Sequence, residues 1–228
     1  MRYFFRFLIS AVIYYLSVKV GSLLAVDPGF SSAGWLASGI VLALVISWGK
    51  PALLGGITGS FVASLGSFSA VINTDVLIST VIATGTAAQL ALAWYLTKKE
   101  FGEKIELSKI ESMLRWLMYI GPVSCLVPET MGTIALLAIS GMEIERADFL
   151  WMQWWISDTL GTLYFCPLCL TLTRKIAVHR SARMQLIVPS TAIFLIICVI
   201  FSFSRHEQLG TQKFNNEQAL YTLATSLK

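Results

Sequence analysis

The stretch that decides the fold is residues 76–97, VLISTVIATGTAAQLALAWYLT, which has no charged side chain in 22 positions. A helix that crosses about 30 Å of hydrocarbon needs about 20 mostly apolar residues. Further apolar stretches of this kind predict an all-α polytopic membrane helix bundle with about seven transmembrane helices. The predicted spans are Phe4–Val26, Trp35–Trp48, Pro51–Ile72, Val76–Thr97, Met113–Ser140, Phe149–Thr173 and Met184–Phe203.

The composition of the whole chain agrees with this prediction. Of the 228 residues, 56% are hydrophobic and 13% are charged, whereas an ordinary globular protein is about 45–50% apolar and about 25% charged. This balance excludes a nucleic-acid-binding domain, a disordered chain and a secreted disulfide scaffold. The lipid bilayer is therefore the first partner that the sequence predicts.

The distribution of lysine and arginine predicts the orientation of the spans. Cytoplasmic loops of membrane proteins carry an excess of these residues. With the N-terminus in the cytoplasm, twelve cations lie in inner segments and four in outer ones, so the C-terminus is predicted to be extracytoplasmic. The inner cations are Arg2, Arg6, Lys50, Lys98, Lys99, Lys104, Lys109, Arg115, Arg174, Lys175, Arg180 and Arg183; the outer ones are Arg146, Arg205, Lys213 and Lys228.

The last segment differs in character from the spans. Ser204–Lys228 is polar, and its apolar residues partly follow helical spacing. A bare helix of this kind is marginal in water. We therefore predict an integral membrane domain over residues 1–203 and an extracytoplasmic helix over residues 204–228, which would begin a following ligand-binding domain; the alternative is an ordinary frayed tail.

Three charged residues lie inside predicted spans: Lys19, Glu129 and Asp158. Each costs about 2.5–3.5 kcal/mol at the centre of a membrane helix, so each is a candidate functional group. Helical rise places Glu129 and Asp158 roughly 15–18 Å below the outer surface and Lys19 roughly 10 Å below it. A shared polar cavity that opens outward would bring all three together. The alternative is a purely structural ion pair of Lys19 with Asp158 or Glu129.

The residues before Asp158 add aromatic and amide groups. Residues 153–158 read QWWISD, and Trp154 and Asp158 share a helix face because they are four residues apart. We predict a ligand-binding site in which Asp158, Glu129 and Gln153 make polar contacts, Trp154 and Trp155 form walls, and Lys19 is an anion partner or counter-ion. Alternatively, tryptophans near a membrane boundary are interfacial anchors.

Other motifs have simpler interpretations. Pro122 and Pro128 interrupt span five, and broken membrane helices often line cavities. Gly55-x3-Gly59 and the small residues from Gly85 to Ala88 suit close helix packing. Cys166-x-x-Cys169 is interpreted as a pair of small apolar residues. We predict no metal site, cofactor or catalytic residue in this chain.

Several motifs, taken in order, resemble the membrane-associated sensor family, first type. These are residues 38–40 SGI, 55–60 GGITGS, 84–89 TGTAAQ and 154–163 WWISDTLGTL, followed by Pro167-Leu168. The resemblance covers residues 10–175, and its specific element is the Trp-Trp-x-x-Asp-x-x-Gly motif. The chain departs from the family pattern at Leu36 and Ala37, where a proline is usual, and at Ser157, where glycine is frequent.

This resemblance implies a sensory input module of the bacterial inner membrane. The family's members are fused to histidine kinases, diguanylate cyclases or phosphodiesterases, which implies a catalytic output beyond residue 228. Phe214, Ala219, Leu220 and Leu223 resemble the opening helix of an extracytoplasmic CHASE domain. We also expect a homodimer and an unidentified small-molecule signal. The alternatives are a small-solute transporter or substrate-binding membrane subunit, and a structural scaffold.

Overall fold

The computed structural model describes residues 1–23, 35–68, 71–102, 110–172 and 199. Within these residues the chain forms six α-helices and no strand. A π-helical turn, Leu136–Ser140, and a short 3₁₀ turn, Ile144–Arg146, connect the last two helices. The helices are α1 (Arg2–Leu23), α2 (Leu36–Trp48), α3 (Lys50–Ser64), α4 (Ile72–Phe101), α5 (Ile110–Ala135) and α6 (Ala147–Leu172).

The all-helical class is confirmed, and each of the first six predicted spans overlaps a helix. By length and composition, three stretches of the described chain can cross a membrane: Arg2–Ser22, Ile72–Phe101 and Tyr119–Ser140. Helix α2 is apolar but shorter. The predicted span Met184–Phe203, apart from residue 199, and the predicted helix Ser204–Lys228 lie outside the described residues. The count of seven spans and the orientation of the termini remain predictions.

The third predicted span, Pro51–Ile72, was too long. Helix α3 ends at Ser64, and α4 begins at Ile72 rather than at Val76. The cause is the carboxylate of Asp75, which accepts hydrogen bonds from the backbone N–H groups of Gly66 and Phe68. These bonds hold a loop in a stretch that hydropathy alone assigns to a helix, and Gly66 takes a φ of 77° there.

Helix α2 occupies the centre of the bundle and contacts α1, α3, α4 and α6. Its side chains from Ala37 to Val45 are almost entirely buried. At its end Gly49 adopts a φ of 72°, which favours glycine, and Pro51 follows in the first turn of α3. The tight turn places α2 and α3 side by side as antiparallel neighbours.

Glycines allow three pairs of helices to approach closely. Gly55 and Gly59 of α3 face the backbone of α1 at Phe7 and Ala11, and Gly85 of α4 faces Pro128 of α5. These contacts confirm the packing predicted for both motifs. A third contact, between Gly39 of α2 and Gly161 of α6, brings those two backbones together.

Helix α5 runs without a break through both of its prolines. The prediction that Pro122 and Pro128 interrupt the span was therefore wrong, because neighbouring helices support the backbone. Pro128 packs against Gly85 of α4, and the carbonyl of Pro122 accepts a hydrogen bond from Trp155 Nε1 at 3.0 Å. A proline removes one N–H from the helical ladder, and tertiary contacts of this kind make that loss tolerable.

Candidate functional site

A cavity of about 500 Å³ lies inside the bundle. Its walls come from α1, α3, α4, α5 and α6, from Trp35 before α2, and from the loop after α3. The lining residues of α1 and α3 are in the C-terminal halves of those helices, whereas Trp35 directly precedes α2. Because successive helices alternate in direction, the cavity occupies one half of the bundle, at the end where the α3–α4 loop lies.

Two acidic side chains from different helices line the cavity. Glu129 of α5 is buried, with 5% of its surface exposed, and Asp158 of α6 faces it. The two carboxyl groups are close enough to interact electrostatically. Two neighbouring carboxylates in a buried site repel each other, which favours a proton on one of them. Both residues are among the predicted site residues, and the structure brings them together in one cavity.

Gln89 of α4 holds the carboxyl group of Asp158 in position. Its Nε2 donates to Asp158 Oδ2 at 3.2 Å and lies 3.1 Å from Cys125 Sγ on α5. Cys125 in turn lies 3.7 Å from Thr162 Oγ1 on α6. Polar contacts thus link α4, α5 and α6 directly behind the acidic pair.

A second polar cluster in the site consists of hydroxyl groups. Thr86 Oγ1 lies 2.9 Å from Ser60 Oγ and 3.5 Å from the Tyr14 hydroxyl. Tyr14 and Thr86 line the cavity, and all three side chains are buried. This cluster connects α1, α3 and α4 and gives the cavity wall neutral groups that can both donate and accept hydrogen bonds.

The start of α2 is bonded to α6 beside Asp158. The N–H of Trp35 donates to the Ser157 carbonyl at 2.9 Å, and Ser38 Oγ lies 3.3 Å from the Asp158 carbonyl. Gly161 faces the Trp35 carbonyl so closely that a larger residue has no room there. The backbone that carries Asp158 is therefore fixed to the central helix.

Trp154 forms an aromatic wall of the cavity. Its ring lies on Gly132 of α5, where a side chain would collide with it. The Phe68 ring, from the α3–α4 loop, meets Trp154 edge to face with centroids 6.5 Å apart. Trp35 and Tyr14 add further aromatic surface. The cavity thus combines an apolar, aromatic wall with a small number of polar groups, which is typical of small-molecule sites.

Three of the predicted site residues do not line the cavity. Trp155 stacks on Trp151, with centroids 6.0 Å apart, and donates to Pro122. Gln153 is half-buried elsewhere, with its Oε1 lacking a hydrogen-bond partner. Lys19 is exposed, and its Nζ lies 5.3 Å from the centroid of the Tyr15 ring. The structure therefore does not place Lys19 beside Glu129 or Asp158, either as a counter-ion or as an ion-pair partner.

The electrostatic character of the cavity follows from its lining. Among the described residues that line it, the charged types are Glu129 and Asp158 alone, with no lysine, arginine or histidine. Burial strengthens electrostatic interactions because the local dielectric constant is low. The cavity is therefore acidic at one side and aromatic at another.

Sequence reasoning missed Gln89, Tyr14, Thr86 and Ser60 as site residues. Gln89 carried a usable signal, since it is the amide in the otherwise apolar span of residues 76–97 and amides in lipid seek partners. Tyr14 and the two hydroxyl residues carried none, because serine, threonine and tyrosine occur in many membrane helices without a functional role. Asp75 lies between the predicted spans Pro51–Ile72 and Val76–Thr97, and nothing in the sequence indicates its hydrogen bonds to the cavity wall.

The fold and the cavity define a helical membrane protein with a polar site enclosed in its bundle. The chain belongs to the MASE1 family, whose model matches residues 7–211. MASE1 is a membrane-associated sensory domain of signalling proteins and is not itself catalytic. The resemblance to the membrane-associated sensor family is thus confirmed. No curated protein and no solved structure matches the chain.

Proposed function

We propose that this chain is the sensory input module of a bacterial inner-membrane signalling protein, and that its signal is a small molecule bound in the cavity. The observation that carries the proposal is the empty space of about 500 Å³ beside the Glu129–Asp158 pair. Acidic groups at depth in a membrane are costly and usually face a functional cavity. A pair that served packing alone would be sealed by its neighbours, whereas this pair borders a void.

Because α5 and α6 both line the cavity, a bound ligand could change how these two helices pack and so transmit a signal. A ligand there would touch α5 through Glu129 and α6 through Asp158 and Trp154. Because these helices meet at the Gly132–Trp154 contact, a ligand that moves the Trp154 ring would change their packing. Only a ligand that binds two arrangements with different affinity can shift the balance between them. The shift would reach the downstream output, such as a histidine kinase or a cyclic-di-GMP enzyme, through the segments after α6.

The predicted orientation determines the side from which the signal enters. With a cytoplasmic N-terminus, α1 and α3 run outward, so the cavity lies in the outer half of the membrane. The α3–α4 loop then covers the cavity on the extracytoplasmic side. A homodimer would place two such bundles beside each other, and residues 204–228 would begin the next extracytoplasmic part.

The test is the substitution Asp158→Asn in the signalling protein that contains this chain. We expect a changed output, measured as kinase autophosphorylation or cellular cyclic-di-GMP, with normal expression and membrane insertion. Asp148→Asn is the matched control, because Asp148 is an exposed residue of the same helix that does not line the cavity. Collapse of expression with Asp158→Asn alone would favour a structural role for the pair and contradict the proposal.

The alternative function is transport of a small solute, because the chain has polar groups near the middle of the membrane. Transporters also place polar groups from several helices near the bilayer centre. Uptake of a labelled solute by proteoliposomes containing this chain would favour that function. Binding without uptake would support a receptor.

A further inference from the structure

We infer that the cavity binds an organic ammonium ion with an apolar or aromatic body. This inference rests on the proposed function, because it names the ligand class of the same cavity. It combines three independent features of the lining: its charge, its aromatic surface and its size.

Charge provides the first argument. The described lining residues include two carboxyl groups and no basic side chain, and Lys19 points to Tyr15 outside the cavity. Repulsion between the neighbouring carboxyl groups of Glu129 and Asp158 favours a proton on one of them, and the other, when ionised, gives the pair one negative charge. No described cation compensates that charge. A monovalent cation in the cavity would neutralise it, whereas an anion would be repelled in a medium of low dielectric constant.

The aromatic surface provides the second argument. Trp154, Trp35, Tyr14 and Phe68 all line the cavity that contains the acidic pair. Ammonium groups are attracted to the faces of aromatic rings, most strongly to tryptophan, and quaternary ammonium ligands are recognised in this way. An aromatic wall facing a carboxyl pair therefore suits a ligand with a cationic head and an apolar body.

Size and ligand type provide the third argument. A volume of about 500 Å³ is far larger than a bare metal ion needs and falls within the range of small-molecule sites. Within the described residues, no group of three or more histidine, cysteine, aspartate or glutamate side chains could hold a metal ion. Hydroxyl groups of Tyr14 and Thr86 can accept hydrogen bonds from an ammonium N–H. These observations favour an organic cation over an inorganic one.

The experiment compares three probes of matched shape on the intact chain in lipid nanodiscs: 2-phenylethylammonium, 2-phenylethanol and phenylacetate. Binding is followed by tryptophan fluorescence and by the shift in Tm. We expect the ammonium ion to bind more tightly than either the alcohol or the carboxylate. In Asp158→Asn and in Glu129→Gln, we expect its affinity to fall about ten- to a hundredfold, because a charge-assisted contact is lost. Asp148→Asn should leave the affinity unchanged.

The outcomes separate the ligand class from the proposed function. If the alcohol or the carboxylate binds as tightly as the ammonium ion, or more tightly, the ammonium class is wrong. The cavity is still a binding site in that case if the cavity-filling substitution Ser64→Trp abolishes the binding. An ammonium affinity that is the same in all three acid variants would also overturn it. If none of the probes binds, the class is wrong. If, in addition, Asp158→Asn leaves the signalling output unchanged, the proposed function is wrong as well.

Discussion

The side-chain amide of Gln89 donates a hydrogen bond to the carboxyl group of Asp158, with 3.2 Å between Nε2 and Oδ2. The bond joins α4 to α6 inside the bundle, and Gln89 has only 4% of its surface exposed. The bond holds one carboxylate oxygen of Asp158, Oδ2, against Gln89. The other interactions of Asp158 then depend on Glu129 and on whatever occupies the cavity.

The first prediction concerns this amide. Gln89→Met keeps a similar volume but removes the donor, so the free energy of unfolding should fall by about 1–3 kcal/mol because a buried polar group loses its partner. Denaturation in mixed micelles would measure the change. Gln153→Met is the control, since Gln153 Oε1 has no hydrogen-bond partner to lose. Equal effects of both substitutions would show that the Gln89–Asp158 bond has no special role in stability.

The second prediction concerns the contact between α2 and α6. In Gly39→Ala the added methyl group would meet the backbone carbonyl of Gly161, which cannot rotate away. The two helices would have to separate, at a cost of about 1–3 kcal/mol or more in the free energy of unfolding. In the control, Gly121→Ala, the methyl group would meet chiefly the flexible end of Leu163, so the cost should be smaller. A larger cost for Gly121→Ala would contradict the packing described for α2.

The sequence predicts the membrane helices and the two acidic residues because both depend on cost in lipid. A run of about twenty apolar residues, and a charged residue within it, can be recognised in the sequence without knowing which helices pack together. The rotation of each helix about its axis, which decides the side chains that face the cavity, cannot be recognised in this way. Trp154 and Trp155 are adjacent and about 100° apart around α6, so composition cannot decide which one faces the cavity. The structure places Trp154 there and Trp155 against α5.

The orientation of Lys19 and the end of α3 also could not be predicted from the sequence. Whether Lys19 faces inward depends on how α1 packs, and Gly55 and Gly59 of α3 decide that packing by contacting a different side of α1. The loop after Ser64 depends on hydrogen bonds that Gly66 and Phe68 donate to the carboxylate of Asp75, which lies nine and seven positions further along the chain. Hydropathy averages over such details, because a window of apolar residues contains no information on tertiary hydrogen bonds.

The third prediction concerns the loop that covers the cavity. The Asp75 carboxylate holds this loop through the N–H groups of Gly66 and Phe68, at 2.5 and 3.0 Å. Asp75→Ala should release the loop, because both N–H groups lose their acceptor. Faster hydrogen–deuterium exchange at residues 65–68 would measure the release. Asn73→Ala, at an exposed position in the same turn of α4, should leave the exchange rate unchanged. Unchanged exchange in Asp75→Ala would refute this role for Asp75.

The fourth prediction separates the two adjacent tryptophans. Trp154→Phe should reduce ligand binding, because Trp154 lines the cavity. Trp155→Phe should lower the free energy of unfolding by about 0.5–1.5 kcal/mol, because its hydrogen bond to the Pro122 carbonyl is lost. Ligand affinity should remain close to that of the unchanged protein in Trp155→Phe. Titration and denaturation of both variants would show the division of roles, and a reversed pattern would exclude Trp154 as the ligand-facing residue.

The central claim is that a ligand reaches the cavity from outside and controls the output. The direct measurement uses Ser64→Cys, at the cavity wall, in a background without native cysteines. A membrane-impermeant trimethylammonium thiosulfonate is applied to intact cells, and the signalling output is recorded. We expect rapid labelling of residue 64 together with a changed output, and an unchanged output for Val62→Cys, which is exposed on α3 outside the cavity. Labelling of residue 64 with no change in output, or no labelling from outside, would contradict the account.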